Sequence, residues 1–152
     1  MNKWMAVACD EALKGMGANE GGPFGAAIVR EGKLIATAHN EVLGTNDPTA
    51  HAEINAIRKA SEKLATNDLS ECVLYTTCYP CPMCMGAIFW ARIPTVYYAS
   101  SMEDADSGGF DDKKFYTLIA HPETAIEIQM LDAEEGKRLF TQWCEKEDKQ
   151  LY

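Results

Sequence analysis

Long apolar runs are missing from this chain of 152 residues. No apolar stretch reaches the roughly 18 residues that a bilayer-spanning helix needs, so no transmembrane segment is expected. The start, Met1-Asn2-Lys3-Trp4, has no basic region followed by an apolar stretch and a small-residue cleavage site. No secretory signal is therefore expected, and the cytoplasm is the default location. In that reducing compartment the six cysteines read as metal ligands or buried thiols, not disulfides. Basic residues are also scarce, 14 Lys and Arg against 23 Asp and Glu, for a net charge of −9. Nucleic-acid affinity rests on cations that neutralise phosphates. The balance thus argues against a polyanionic partner and for a small, uncharged substrate. Repeats, low-complexity tracts and linkers are absent as well. With 47% apolar and 24% charged residues, residues 1–152 read as one globular domain.

What is present is an alternation of helical and strand patterns. Residues 2–16 repeat Met5, Ala8, Ala12 and Met16 at helical spacing, and Gly15 and Gly17 end the pattern. Phe24–Arg30 and Lys33–Asn40 flank Glu31-Gly32, the signature of a tight hairpin. Asp47 followed by Pro48 predicts a helix start, running to about Ala65 with Ile54, Ile57 and Leu64 buried. Cys72–Thr77 reads as a strand, Pro80–Arg92 as a turn into a very apolar helix, and Thr95–Ala99 as a buried strand. Thr124–Met130 alternates Ile126, Ile128 and Met130 with Glu127 and Gln129, a strand pattern. Asp132 and Glu135 form a capping-box pattern before a last helix anchored by Leu139, Phe140 and Trp143. The order implies an α/β layered fold around a mixed sheet of about five strands.

Two segments carry the chemistry. His51-Ala52-Glu53 lies near a helix start, and Pro80-Cys81-Pro82-Met83-Cys84 opens the next helix. Cysteines at i and i+3 share one face of a helical turn, so both sulfurs reach one ion. Pro82 suits the first helical position, which puts Cys81 at the cap. There the free N–H groups and the helix dipole favour thiolate. Imidazole and thiolates are zinc ligands, and His51, Cys81 and Cys84 make a set of three. Three protein ligands leave a place for water, as in catalytic zinc sites, whereas a structural site is closed by four. Cys78 offers a third thiol, but it precedes Pro80 in extended chain, off the helical face of the other two. Glu53, two residues from His51, is placed to move protons. This H-x-E and P-C-x-x-C pair is the pattern of zinc deaminases, in which the Glu is not a ligand. The bland alternatives are a redox or buried cysteine pair and a capping histidine.

These motifs resemble the cytidine deaminase-like superfamily. More narrowly, Pro23-Phe24-Gly25-Ala26, Asn46-Asp47-Pro48-Thr49-Ala50-His51-Ala52-Glu53, Gly86–Arg92 and Gly109-Phe110-Asp111-Asp112, with the terminal Tyr152, resemble bacterial guanine deaminases of that fold. The resemblance implies a three-layer sandwich with a mixed five-stranded sheet flanked by helices. It also implies one Zn2+ per subunit and a homodimer whose C-terminal segment can swap between subunits. Carried over residue by residue, Asn40 would hydrogen-bond the purine, Phe24 and Ala52 would line its pocket, and Trp90 would form the wall. Asp112 would contact the base and assist Glu53, and Tyr152 would cap the site, from its own or the other subunit. Tyr79 departs from the family's Cys-Glu-Pro-Cys.

The implied reaction belongs to purine metabolism. Water activated at the metal attacks C2 of guanine, Glu53 relays its proton, and xanthine and ammonia leave. The rival on the same fold is a tRNA-specific adenosine deaminase. Deaminases of cytosine, nucleosides or aminotriazines share the motifs too. A non-catalytic zinc module is the rival from another class, and it would have no use for Glu53.

Overall fold

A computed structural model describes residues 2–152. Helix α1 (Lys3–Gly17) begins where the Asn2 side chain accepts the Trp4 and Met5 N–H groups. Strands β1 (Gly25–Arg30) and β2 (Lys33–His39) form the expected hairpin. Its turn residues Glu31 and Gly32 have φ of 49° and 69°, the pair of positive values a primed turn requires. A short helix α2 (Val42–Thr45) leads to α3 (Ala52–Leu64). Strand β3 (Cys72–Cys78) and helix α4 (Pro82–Trp90) follow, then β4 (Thr95–Ser100). Helices α5 (Met102–Ser107) and α6 (Asp112–Ala120) precede a 3-10 turn at Pro122–Thr124 and a final helix α7 (Ala133–Glu145).

The sheet order is β2-β1-β3-β4. β1 pairs antiparallel with β2 and β3, while β3 and β4 run parallel through the α4 crossover. Alanines set how closely the helices approach. Ala52, Ala56 and Ala60 of α3 are wholly buried, and they pack with Ala26, Ile28, Leu74 and Ile88 in one core. α1 buries Ala8 and Ala12 outside that cluster, and a Cβ on Gly25 would lie 2.0 Å from the Ala8 carbonyl oxygen. Glycine at position 25 thus lets α1 sit directly on β1. The sheet lies between helical layers, as anticipated.

Six expectations need correction. The sheet has four strands among the described residues, not five. Only Thr124 belongs to the 3-10 turn, and 125–130 forms no helix or strand, with Met130 87% exposed. An alternating segment becomes a strand only by pairing with an edge, and 124–130 pairs with no strand of this sheet. α3 starts at Ala52, not Pro48, because the Asp47 carboxylate accepts both the N–H and the hydroxyl of Thr49 and so closes a local turn. β4 is not buried, since Tyr97 and Tyr98 are exposed on this edge strand. Asp132 makes no capping bond and has φ of 51°. Leu139 and Phe140 do not anchor α7 to the core, Phe140 being 74% exposed.

Candidate active site

Two helix starts meet beside the end of β3. The turn at Asp47 leaves His51 in extended conformation at the N-cap of α3, and Cys81 holds the same position on α4. Pro82 supplies the first helical residue of α4, where its missing N–H costs nothing. His51 Nδ1 lies 3.6 Å from the Sγ atoms of both Cys81 and Cys84. The three ligand atoms all fall within 4.8 Å of one another, one imidazole and two sulfurs as zinc prefers. Cys78 is not in this group. It ends β3, and its thiol donates to the Ser101 carbonyl at 3.5 Å.

The electrostatics fit a cation. The Cys84 thiol bonded to Cys81, with His51 beside it, pushes Cys81 down to about 4 against the effect of burial. Cys81 in turn holds Cys84 high and raises His51. Burial pushes Cys78 up to about 11, so that thiol keeps its proton. A cation at the trio would displace the protons of Cys84 and His51 and stabilise both thiolates.

Glu53, in the first turn of α3, lies beside this trio, its Oε2 3.4 Å from Cys84 Sγ. Its carboxyl is buried and raised by loss of solvent. The Thr76 hydroxyl, 2.8 Å from Oε1, donates to the carboxyl and opposes that effect. A carboxylate so held sits where it can exchange protons with a ligand. Asp112, at the start of α6, is half-buried and also raised, first by burial and then by Cys81, with His51 opposing.

A cavity of about 350 Å³ opens over these groups. That is near the small end of ligand pockets, which run from roughly 300 to 1,000 Å³. His51, Cys81, Glu53, Asp112, Phe24 and Asn40 all line it. Phe24 meets Phe110 edge to face, with centroids 4.7 Å apart. Asn40 is buried, and its Oδ1 accepts the Val42 N–H at 3.2 Å. Three expected residues lie elsewhere. Ala52 points into the core and does not line the cavity. Trp90 and Tyr152, 68% and 69% exposed, pack on each other with centroids 5.8 Å apart, outside the cavity. α4 carries Trp90 two turns beyond Cys84 and away from the trio. Phe110, Gly21 and Gly22 also line the cavity and Thr76 braces Glu53, places that sequence spacing alone does not mark. Only the Gly109-Phe110 motif gave a hint of them. Tyr79 also lines the cavity and packs against Tyr98 and Tyr116.

Two helix starts that bring one imidazole and two sulfurs together, with a buried glutamate beside them, form a site that could hold a metal ion. The chain belongs to the cytidine and deoxycytidylate deaminase zinc-binding family, whose model matches residues 1–100. It is 46% identical over 143 residues to a guanine deaminase of Bacillus subtilis, covering 93% of this chain and 92% of the relative. The crystal structure of a guanine deaminase from that organism superposes with a TM-score of 0.94 at 44% identity, over 100% of this chain and 99% of the other. A tRNA-specific adenosine deaminase of Aquifex aeolicus is 43% identical over 145 residues, 94% of this chain and 93% of the relative.

Proposed function

We propose that the protein hydrolyses guanine to xanthine and ammonia, as a purine-metabolic enzyme of the cytoplasm. The observation that carries this reading is Glu53: a buried carboxyl fixed by Thr76 beside Cys84, at the floor of a base-sized cavity. His51, Cys81 and Cys84 would hold the zinc. When bound, zinc lowers the pKa of water to roughly 7 and so supplies a nucleophile at neutral pH. Glu53 would accept a proton from the attacking water and deliver it to the ring nitrogen beside C2. Burial raises its affinity for the proton, which suits this shuttle. The second proton of that water, lost by the hydroxyl added at C2, would pass through Glu53 or Asp112 to the departing amine as the C2–N bond breaks. Asn40 has its oxygen engaged by Val42, which leaves its amide hydrogens for the oxygen of guanine. Phe24 and Phe110 offer aromatic surface to the base.

The tRNA reading has near full-length relatives in its favour, but a net charge of −9 opposes a polyanion. A panel of guanine, guanosine, adenine, cytosine and tRNA, followed by ammonia release, separates the readings. Guanine is expected to turn over best, and Glu53→Gln is expected to bind zinc yet lose activity. Near-normal activity in that variant would remove the proton carrier from the mechanism.

The same reading includes a homodimer with exchanged C-terminal segments. Its support is unspent surface: an open β4 edge, the alternating exposed Ile126, Ile128 and Met130, and the exposed Leu139 and Phe140 of α7. Pairing the 124–130 segment with a neighbour's β4 would restore the fifth strand. Tyr152, remote from its own cavity, would then cap the neighbour's.

A further inference from the structure

One cluster of titratable groups has no part in that chemistry. At the end of β2, His39 Nδ1 lies 3.2 Å from Glu11 Oε2, and His39 Nε2 lies 2.6 Å from Glu20 Oε2. Glu11 belongs to α1, and Glu20 to the turn after it. The charged groups facing the ring are these two carboxylates and Glu41, whose Oε2 already accepts the Asn55 amide at 2.8 Å. Lys14 pairs with Glu11 at 2.6 Å on the outer side. A protonated imidazole donates to both carboxylates, whereas a neutral one donates to a single partner. The ring is also seated tightly, for a Cβ on Gly15 would lie 2.4 Å from His39 Cδ2.

The cluster holds one side of the cavity. The Glu20 carbonyl accepts the N–H groups of Leu43 and Gly44, each at 2.9 Å. Gly21 and Gly22 follow Glu20 directly, and Asn40 follows His39. Gly21, Gly22, Asn40, Val42 and Leu43 all line the cavity. The reacting groups hang from different supports. The ligand trio and Glu53 sit on α3 and α4, and Glu53 is steadied by Thr76 of β3.

We infer that His39, clamped between Glu11 and Glu20, is a positioning residue that fixes the base-binding wall of the pocket and acts on substrate affinity, not on the chemical step. The inference rests on the nucleobase deaminase reading. Loosening the clamp moves the wall and leaves the floor in place. An interaction lost equally from ground and transition states raises KM without lowering kcat.

The test uses the full-length, zinc-loaded enzyme and reads kcat, KM for guanine, zinc content and Tm. Glu20→Ala is expected to raise KM about tenfold, the effect of one lost charge-assisted bond, with kcat within about twofold and zinc unchanged. Glu20→Gln keeps an acceptor oxygen and recovers most of the lost affinity. Gly15→Ala displaces the ring from the helix side and gives the same split, so the result does not hang on one variant. An unchanged KM in Glu20→Ala and Gly15→Ala, a parallel fall of kcat, or no recovery in Glu20→Gln overturns the inference. If the wild type is active and the split is missing, only this inference falls. If the wild type turns over no base, the activity reading falls with it.

Discussion

Replacing Thr76 with valine isolates the one hydrogen bond that ties Glu53 to the sheet. The two side chains are close in shape, Thr76 is wholly buried, and its hydroxyl donates to Glu53 Oε1 at 2.8 Å. Hydrogen bonds to charged groups contribute about 1.5–3 kcal/mol. A loss at the lower end of that range, if it falls on the ionised carboxylate in the transition state, corresponds to about a tenfold fall in kcat/KM. The sign with pH follows from the same bond. Thr76 stabilises the ionised carboxylate and lowers its pKa, opposing the larger effect of burial, which raises it. Without Thr76 the carboxyl ionises only at higher pH, so the acid limb of kcat/KM moves to higher pH. The assay is ammonia release from guanine across the acid range, with metal content measured in parallel. An unchanged acid limb in a variant that keeps its zinc would refute the assignment of that limb to Glu53.

Cys84→Ser removes one of two sulfurs from the trio, and metal analysis is expected to show loss of bound zinc together with activity. Gly22→Ala sets a Cβ 2.8 Å from Phe110 Cζ and 2.9 Å from Phe24 Cε2, so the aromatic pair must shift. KM for guanine is expected to rise several-fold, and steady-state kinetics read it. Burial raises the Glu11 carboxyl, but hydrogen bonds from Lys14 and His39 outweigh that and hold it below the ordinary value. A depressed carboxylate stabilises the fold above its unfolded pKa, and that stability is lost as pH falls through the folded value. Wild type is therefore expected to melt roughly 2–4 °C above Glu11→Gln at neutral pH, for a hydrogen bond worth about 1 kcal/mol. Thermal scans in increasing acid should show that lead shrinking.

Local spacing made part of this protein legible. His51 and Glu53 straddle one helix start, and Cys81 and Cys84 are three residues apart on another, so backbone geometry alone brings each pair to one side. The Glu31-Gly32 turn was legible for the same reason, because its two positive φ values are a local requirement. Thr76 was not. It meets Glu53 from 23 residues away, through the packing of α3 on β3. Phe110 reaches Phe24 across 86 positions of chain, from a segment whose acidic composition reads as solvated loop. The helix start at Pro48 was misread because a side chain on Asp47 competes with the helix for the same N–H group.

The sequence by itself determined which residues can grip a metal and move a proton, since those groups are fixed by one turn of helix each. Only the tertiary structure decided what surrounds them: that Asn40 and Phe24 face the cavity while Trp90 and Tyr152 do not, and that the 124–130 segment has no strand beside it in its own chain. A periodic pattern records which side of an element is apolar. Which surface meets that side depends on contacts between elements distant in the chain.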